Sequence, residues 1–399
     1  MNAESLSLAV KWDAVFLGTS GYSNAMRSHV LSLDRAGISI QAGLLRNRPA
    51  FVEQMSPDVL ATWKRLSETT VRRDVCVSGY QPFDKGDMYR LLRKKNPGFA
   101  YYIGYTMFET DRIPAVWINP CHGPDEIWVP SRFNFETFGR SGIPVEKIHI
   151  VPIGIDAEEY QPQRVKPLPI PGRRSFVFLS VFEWTNRKGW DVLLKAYLSA
   201  FSHSDAVTLV IHAWNETGKP VQKEVNQFVS SLGKDPTRVP MIVVMEDHLS
   251  HSEMLSLYRA ADAFVLSTRG EGWGLTYMEA MAMGLPAIGT RWSAHLDFMN
   301  DRNSYLIDCK VVDIPDHLLG EPPLHKSLFQ GHRWAEPSVE HTARLMREVY
   351  DHPEQANGKG LIARDGILRD FNSQSMAQVV IENLKRIEES ELFKSRKPC

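Results

Sequence analysis

Residues 261–290 read ADAFVLSTRGEGWGLTYMEAMAMGLPAIGT. Residues 263–266 are a short apolar run, long enough for a buried strand. Gly270, Gly272 and Gly274 follow at alternate positions. The backbone there is free to bend sharply and to let a ligand approach bare amides. Leu275, Met278 and Ala282 then recur at helical spacing, and Gly284 with Pro286 supplies a stop signal. Residues 286–288 start another strand. The order is strand, glycine turn, helix, strand.

That order has chemical consequences. The first amides of a helix lack intrahelical partners, and the helix dipole makes the same end attractive to anions. A glycine turn feeding a helix is therefore a potential phosphate site. Glu271 lies in the turn and Glu279 in the first turns of the helix, with no basic neighbour in the four residues that follow it. Carboxylates only accept hydrogen bonds, so rows of hydroxyls suit them. A nucleotide sugar offers two hydroxyl clusters with a diphosphate between. The plainer alternative is an ordinary helix with an acidic N-terminal residue.

Glu271 and Glu279, with seven residues between them in EGWGLTYMEAMAMGLPAI, resemble the E-x7-E signature of retaining family-4 glycosyltransferases of the GT-B fold (glycosyl transferases group 1). The resemblance implies an α/β fold: two Rossmann-like domains facing across a cleft, with a C-terminal helix crossing back to the first. It also implies that Glu271 touches donor-sugar hydroxyls and Glu279 binds the ribose. The turn residues Gly272, Trp273, Gly274 and Leu275 are then expected at the diphosphate.

The bulk composition agrees with a soluble globular protein. The chain has 399 residues, too many for one ordinary core, so two domains are expected. Hydrophobic residues make up 43% and charged residues 23%, and the formal net charge of -1 gives no global field to draw in nucleic acid. Cys76, Cys121, Cys309 and Cys399 are scattered without a C-x-x-C, which argues against a disulfide framework or zinc site and fits a reducing compartment. No signal peptide is read at the N-terminus, and no apolar run approaches the ~20 residues that span a bilayer. A cytoplasmic location is expected, with peripheral membrane contact left open.

The first domain is expected over residues 1–156, on the acceptor side. Its alternation of apolar runs and helical patterns indicates a parallel sheet covered by helices. Residues 12–17 read as the first strand, leading through a small-residue turn into a helix with Met26, Val30 and Leu31 on one face. Gly18 and Gly21 put backbone amides at that helix start. A plain strand–helix turn is the simpler alternative, but in the resembled family this loop lies over donor and acceptor. Residues 85–95 read as a basic helix, suited to an anionic lipid or acceptor or, more commonly, to solvent. Residues 101–105 read as a strand running into TMFETDRIP. Glu109 there either orients the acceptor hydroxyl or caps the helix after Pro114. Many relatives carry a histidine near this place, and this chain does not. His122 is a second candidate for function, a structural role being commoner for a lone histidine. Residues 125–130 read as a strand, with Ser131 as the next N-cap.

Pro162, Pro167, Pro169 and Pro171 make residues 157–174 a stiff linker. The nucleotide-sugar domain is expected over 175–370. Residues 176–181 are its first strand, and Asn186 is placed to cap the following helix. Arg187 and Lys188 stand at the carboxyl end of that strand, where fixed cations neutralise a diphosphate leaving group. Lys188-Gly189 resembles the family's diphosphate-binding lysine. The family's arginine six residues earlier is replaced by Phe182, and Arg187 is the nearest substitute. The loop of Met245, His248 and Leu249 is expected to cup the nucleobase, as in relatives. Residues 291–297 match the family's G-G-x-x-E-type region in position only. Residues 308–333 read as loop, followed by a helix with Pro337 in its first turn. Residues 371–399 are expected to hold the crossover helix, over 373–387, and a mobile tail.

The function implied is transfer of a hexosyl unit from a nucleotide-diphosphate sugar, the co-substrate, to an acceptor hydroxyl with retention of configuration. The acceptor is a carbohydrate, a lipid-linked group or a protein. No Asp-x-Asp occurs, so metal-independent donor binding without a cofactor is expected. A nucleotide-sugar epimerase of the same fold needs no acceptor. A phosphorylase of this fold needs a pyridoxal-phosphate lysine. A non-catalytic nucleotide-sugar-binding protein does not turn over.

Overall fold

The computed structural model describes residues 6–18, 20–45, 56–83, 86–215, 218–319 and 327–397. The chain separates into two compact units. One holds the described residues up to Phe108, Arg112–Asp156 and the chain from Arg369 onward; the other holds Glu109–Asp111 and Ala157–Leu368. The expected linker therefore counts with the second unit.

The first unit is built on six parallel strands: β1 Ala9–Ala14, β2 Ser39–Leu44, β3 Val75–Gly79, β4 Tyr101–Tyr105, β5 Glu126–Val129 and β6 Ile148–Ile150. They lie in the order β2-β1-β3-β4-β5-β6. Helices α1 Gly21–Arg35, α2 Pro57–Glu68, α3 Met88–Lys95, α4 Ala115–His122 and α5 Arg132–Arg140 connect them. Val10, Trp12, Val77, Ile127 and Trp128 are fully buried, as a parallel sheet covered on both faces requires. The first strand ends three residues before the expected end. Phe16 and Leu17 are buried but lie in the loop beyond it, where the Arg27 guanidinium donates to the Phe16 and Gly18 carbonyls. Burial alone does not make a strand. Ser20 and Ser131 cap α1 and α5, accepting from the amides of Ser23 and Asn134. The basic residues Arg90, Arg93, Lys94 and Lys95 of α3 face solvent, while Lys85 lies outside the described residues.

The helix Ser373–Glu389 belongs to this first unit, although the chain reaches it from the second. Val380, Leu384 and Ile387 are buried along it. Arg386 donates to both oxygens of buried Glu126, at 2.7 and 2.8 Å, and Glu126 also accepts from Tyr101 and Trp128. Burial pushes the Glu126 carboxyl upward, but Arg386, His149 and Trp128 outweigh it and hold the group below its ordinary range. The expected mobile tail is instead a short helix, Glu391–Arg396, anchored by buried Phe393 and by Arg396 donating to Asp125 at 2.8 Å. Pro398 and Cys399 lie outside the described residues.

The second unit holds β7 Phe176–Glu183, β8 Val207–Trp214, β9 Met241–Met245, β10 Ala263–Leu266, β11 Ala287–Thr290 and β12 Tyr305–Ile307, all parallel, in the order β12-β11-β10-β7-β8-β9. Helices α6 Trp190–Ala200, α7 Val221–Ser231, α8 His251–Arg259 and α9 Leu275–Ala282 cover it. The strand order reverses between β7 and β10. In such sheets ligands bind outside the carboxyl ends at the reversal.

Two expectations for this unit need correction. Residues 308–333 are not simply loop. β13 Cys309–Asp313 pairs antiparallel with β14 Arg333–Pro337 over a cluster of Ile314, Leu319 and Trp334. Half of β13 faces solvent, and a long proline-bearing segment separates it from its partner, so neither alternation nor spacing announced a hairpin. Pro337 closes β14, and Ser338 caps the next helix, Val339–Asp351. The helix Pro353–Asp370 was not anticipated. A Cβ on Gly360 of this helix would lie 2.3 Å from the Gly284 carbonyl oxygen, so close packing requires glycine there. No helix among the described residues is long and apolar enough to cross a membrane.

Replacing Arg386 with Ala leaves the Glu126 carboxylate buried without its cation. Because Arg386 is itself partly solvated, the expected loss is about 2 kcal/mol of unfolding free energy. Urea denaturation of R386A checks this, and a change under ~0.5 kcal/mol contradicts it.

Candidate active site

Two loops meet at the reversal point. The loop after β7 makes a 3₁₀ turn over Asn186–Lys188, and α6 starts only at Trp190. Asn186 is therefore not the helix cap. Gly189 holds that place at φ 65°. A Cβ on Gly189 would lie 1.9 Å from the Ser267 carbonyl oxygen of the loop after β10, so no other residue fits. The Ser267 hydroxyl donates to the Gly189 carbonyl at 2.9 Å, and the Arg269 amide donates to the Arg187 carbonyl at 2.6 Å.

This zipper fixes the charges. Lys188 Nζ lies 2.6 Å from Glu271 Oε1, and the Thr268 hydroxyl donates to the same oxygen at 2.8 Å. Arg187 donates to the Gly270 carbonyl at 2.7 Å and stands 3.7 Å from both Glu271 and Glu109. Glu271 is only 7% exposed. Burial pushes its carboxyl upward, but Lys188 and Arg187 outweigh that and keep it below the ordinary carboxylate range. Burial lowers Lys188, against the pull of Glu271. Two cations share this one buried carboxylate, so the acid gains more from the arrangement than the lysine does.

The Glu271 amide donates to the Ser293 hydroxyl at 3.0 Å. Ser293 is the one non-glycine among the described residues with positive φ, at 84°. That backbone region is costly for a residue with a Cβ. It falls in the 291–297 segment, where the resembled family carries glycine.

Gly274 begins α9 at φ 100° and supplies no side-chain cap, leaving the first amides of the helix without that partner. Further along, the Tyr258 hydroxyl donates to Glu279 Oε2 at 2.7 Å. Burial pushes the Glu279 carboxyl upward, Tyr258 only partly offsetting it. His295, fully buried under Gly274, is pushed down to about 4 by burial and stays neutral.

Glu109 reaches this group from the chain after β4. Its carbonyl oxygen lies where a Cβ on Gly270 would be 2.1 Å away. Asp111 fixes the segment: its amide donates to the Arg333 carbonyl at 3.1 Å, and its carboxylate accepts from the Arg333 amide at 2.8 Å. Glu109 does not cap α4, which has Pro114 at its N-cap and no side-chain hydrogen bond there.

Of the residues singled out by sequence, the structure thus brings together Glu109, Arg187, Lys188, Glu271, Gly272, Trp273, Gly274, Leu275 and Glu279 within the second unit. Met245 ends β9 in the same unit, its carbonyl in hydrogen bond with His212 Nδ1 at 3.1 Å, and His248 and Leu249 follow in the loop before α8. Gly18 and Gly21 stand in the first unit, at the β1–α1 connection, and His122 is exposed at the end of α4. Phe182 is buried and stacked on Trp184 at 5.8 Å, an apolar setting that disfavours a charged arginine. Thr268, Ser293, Tyr258 and Arg269 were missed. Only Arg269, a charge three residues past the end of an apolar strand, carried a sequence signal.

Among the described residues no group of three His, Cys, Asp or Glu side chains is placed to hold a metal. A hollow of about 290 Å³, lined by Arg174, His203 and Met241 among others, lies at the amino ends of the β7–β9 strands. That is the opposite edge of the sheet from these charges.

In fold the chain is a GT-B protein. The structure of Anabaena HepE in complex with UDP and glucose matches it at a TM-score of 0.65 and 13% identity, covering 95% of this chain and 99% of that one. Sucrose-phosphate synthase from Thermosynechococcus elongatus matches at 0.65 and 12% identity, with the same coverages of 95% and 99%. Within that fold, residues 173–318 match the family described as Glycosyl transferases group 1. Mannosylfructose-phosphate synthase of Agrobacterium fabrum is 29% identical over 157 residues, 37% of this chain and 34% of that protein. D-inositol 3-phosphate glycosyltransferase 1 of Catenulispora acidiphila is 30% identical over 154 residues, 37% of this chain and 36% of that protein. The aligned stretch thus spans about a third of these curated relatives, 34% and 36%.

The strained serine and the half-buried Glu279 each give a stability prediction. Ser293→Gly relieves strain while losing the hydroxyl's hydrogen bonds with the Glu271 amide and His295, whereas Ser293→Ala keeps the strain and loses the same bonds. Ser293→Ala is therefore expected to unfold ~1–3 kcal/mol more easily than Ser293→Gly; equal stabilities in denaturant contradict the strain. Glu279 has a folded pKa above its unfolded value, so its ionisation costs stability as pH rises through the folded pKa, and nothing is lost below the unfolded one. Glu279→Gln is expected to melt above wild type at pH 8, with the gap closing toward pH 4. A gap that widens on acidification refutes the assignment.

Proposed function

We propose that the protein transfers a hexosyl group from a nucleotide-diphosphate sugar to an acceptor hydroxyl, with retention of configuration. The observation that carries this is the Lys188–Glu271 contact at the entry to an α9 with no side-chain cap. A cation, an acid and helix amides are thereby held together at the carboxyl ends of β7 and β10. The match to glycosyl transferases group 1 over residues 173–318 supports the reading. So does the name of the HepE structure, which records UDP and glucose bound to that protein.

Each group has a task. Glu271 takes both its hydrogen bonds on Oε1, which leaves Oε2 to accept a hydroxyl of the donor sugar. Glu279 accepts from the ribose, and its hydrogen bond from Tyr258 fixes the carboxylate's direction. Lys188, Arg187 and the amides at Gly274 and Leu275 take the diphosphate. In the chemical step the bond from the anomeric carbon to the β-phosphate oxygen breaks. The acceptor oxygen bonds to the same carbon on the same face, and its proton passes to the departing phosphate. Negative charge grows on that phosphate as the bond breaks, and Lys188 and Arg187 stabilise it more in the transition state than in the ground state. Glu109, beside Arg187, orients the acceptor hydroxyl. No metal is needed to bridge the diphosphate, because two cations and a helix start already face it.

Glu271→Ala is expected to lower turnover ~100-fold or more while nucleoside diphosphate binding persists. Glu279→Ala is expected to weaken that binding itself about tenfold, the value of roughly one charged hydrogen bond. EDTA is expected to leave donor affinity unchanged. Steady-state kinetics and calorimetry check all three. Wild-type behaviour of both variants overturns the roles, and loss of affinity in EDTA overturns metal independence.

A further inference from the structure

Arg269 is the largest charged side chain enclosed in the second unit, 1% exposed. Its guanidinium is shared by two acids from different elements. It donates to Asp191 of α6 at 2.9 and 3.0 Å and to Glu336 of β14 at 2.8 and 2.9 Å. It also donates to the carbonyl of Asn186, the first residue of the turn that carries Arg187 and Lys188. Its own amide donates to the Arg187 carbonyl at 2.6 Å, and its own carbonyl accepts from the Ala335 amide at 3.0 Å. The ring of Trp334 lies 5.5 Å from the guanidinium. The β13–β14 hairpin holds the same turn from a second side, the Leu318 carbonyl accepting from the Asn186 side chain at 3.3 Å.

Every donor of this group is directed at protein, so Arg269 does not reach a substrate. What it does reach is the backbone of the cationic turn itself, at the carbonyls of Asn186 and Arg187. Arg187 and Lys188 carry like charges on adjacent residues, and the turn that bears them is a single 3₁₀ turn with no side-chain cap. Like charges so close repel, and a short turn has little stiffness of its own. The structure assigns to Arg269, clamped by Asp191 and Glu336, the role of a positioning residue that holds the Arg187–Lys188 turn at the diphosphate. The β13–β14 hairpin is the added element that supplies half of the clamp. The planar fork matters as much as the charge, since lysine cannot bind two carboxylates and a carbonyl in one plane.

This role rests on the proposed diphosphate contacts of Arg187 and Lys188, and the test keeps the two apart. The full chain is titrated calorimetrically with UDP, GDP and ADP and with uridine, guanosine and adenosine. The affinity ratio of the preferred diphosphate to its own nucleoside reports the phosphate contacts alone. Arg269→Lys is expected to cut that ratio roughly tenfold, the scale of a sub-ångström misplacement, with nucleoside affinity unchanged. Glu336→Gln is expected to cut it about threefold, since one arm of the fork is weakened. An unchanged ratio in both variants overturns the positioning role. Equal losses for diphosphate and nucleoside overturn it too, because they mark a general loosening. A wild-type ratio near one shows instead that the diphosphate reading itself is wrong. Should Arg269→Lys lose its native circular dichroism, Glu336→Gln and Asp191→Asn decide by the same ratio.

Discussion

Gly189 and the Ser267 carbonyl lie so close that a single added carbon would sit 1.9 Å from the oxygen. That approach joins the loop after β7 to the loop after β10, and the rest of the site follows from it. The two strands are neighbours although β8 and β9 come between them in sequence. Their loops therefore stand side by side at the point where the strand order reverses. One loop brings two cations, and the other brings an acid and a helix start. Neither loop is a site without its partner.

The cations are already paired with acids before any ligand arrives. Arg187 and Lys188 face Glu109 and Glu271, with Arg269 between Asp191 and Glu336 behind them. Buried pairs of this kind are a weak source of stability, because desolvation offsets most of the attraction. Glu279 goes further, since it is half-buried with a tyrosine hydroxyl but no cation in hydrogen-bonding contact. Ser293 adds backbone strain on behalf of the Glu271 amide. The second unit thus spends stability where a sugar nucleotide would recover it through hydroxyls and a diphosphate.

The sequence was most legible where one physical rule dominated. Buried strands such as Ala263–Leu266 and the glycine turn after them follow from apolar runs and backbone freedom. Lys188 and Glu271 were legible individually but not as a bonded pair, since 83 positions separate them. Residues acting through tertiary contact were silent: Thr268 and Ser293 are ordinary small polar residues until their hydroxyls meet Glu271. The β13–β14 hairpin was hidden because β13 is half exposed and its partner distant. The Pro353–Asp370 helix was hidden because Gly358, Gly360 and Gly366 weaken its helical signal, and of these Gly360 is required by packing against Gly284.

The most direct trial of the central claim is a crystal structure with whichever of UDP, GDP or ADP raises the melting temperature. A ligand that binds only the folded state must raise it. The account predicts phosphates against Lys188 and the amides at Gly274 and Leu275, with ribose hydroxyls on Glu279. A nucleotide seated elsewhere, or a diphosphate that leaves Lys188 bonded only to Glu271 and Glu279 only to Tyr258, contradicts it.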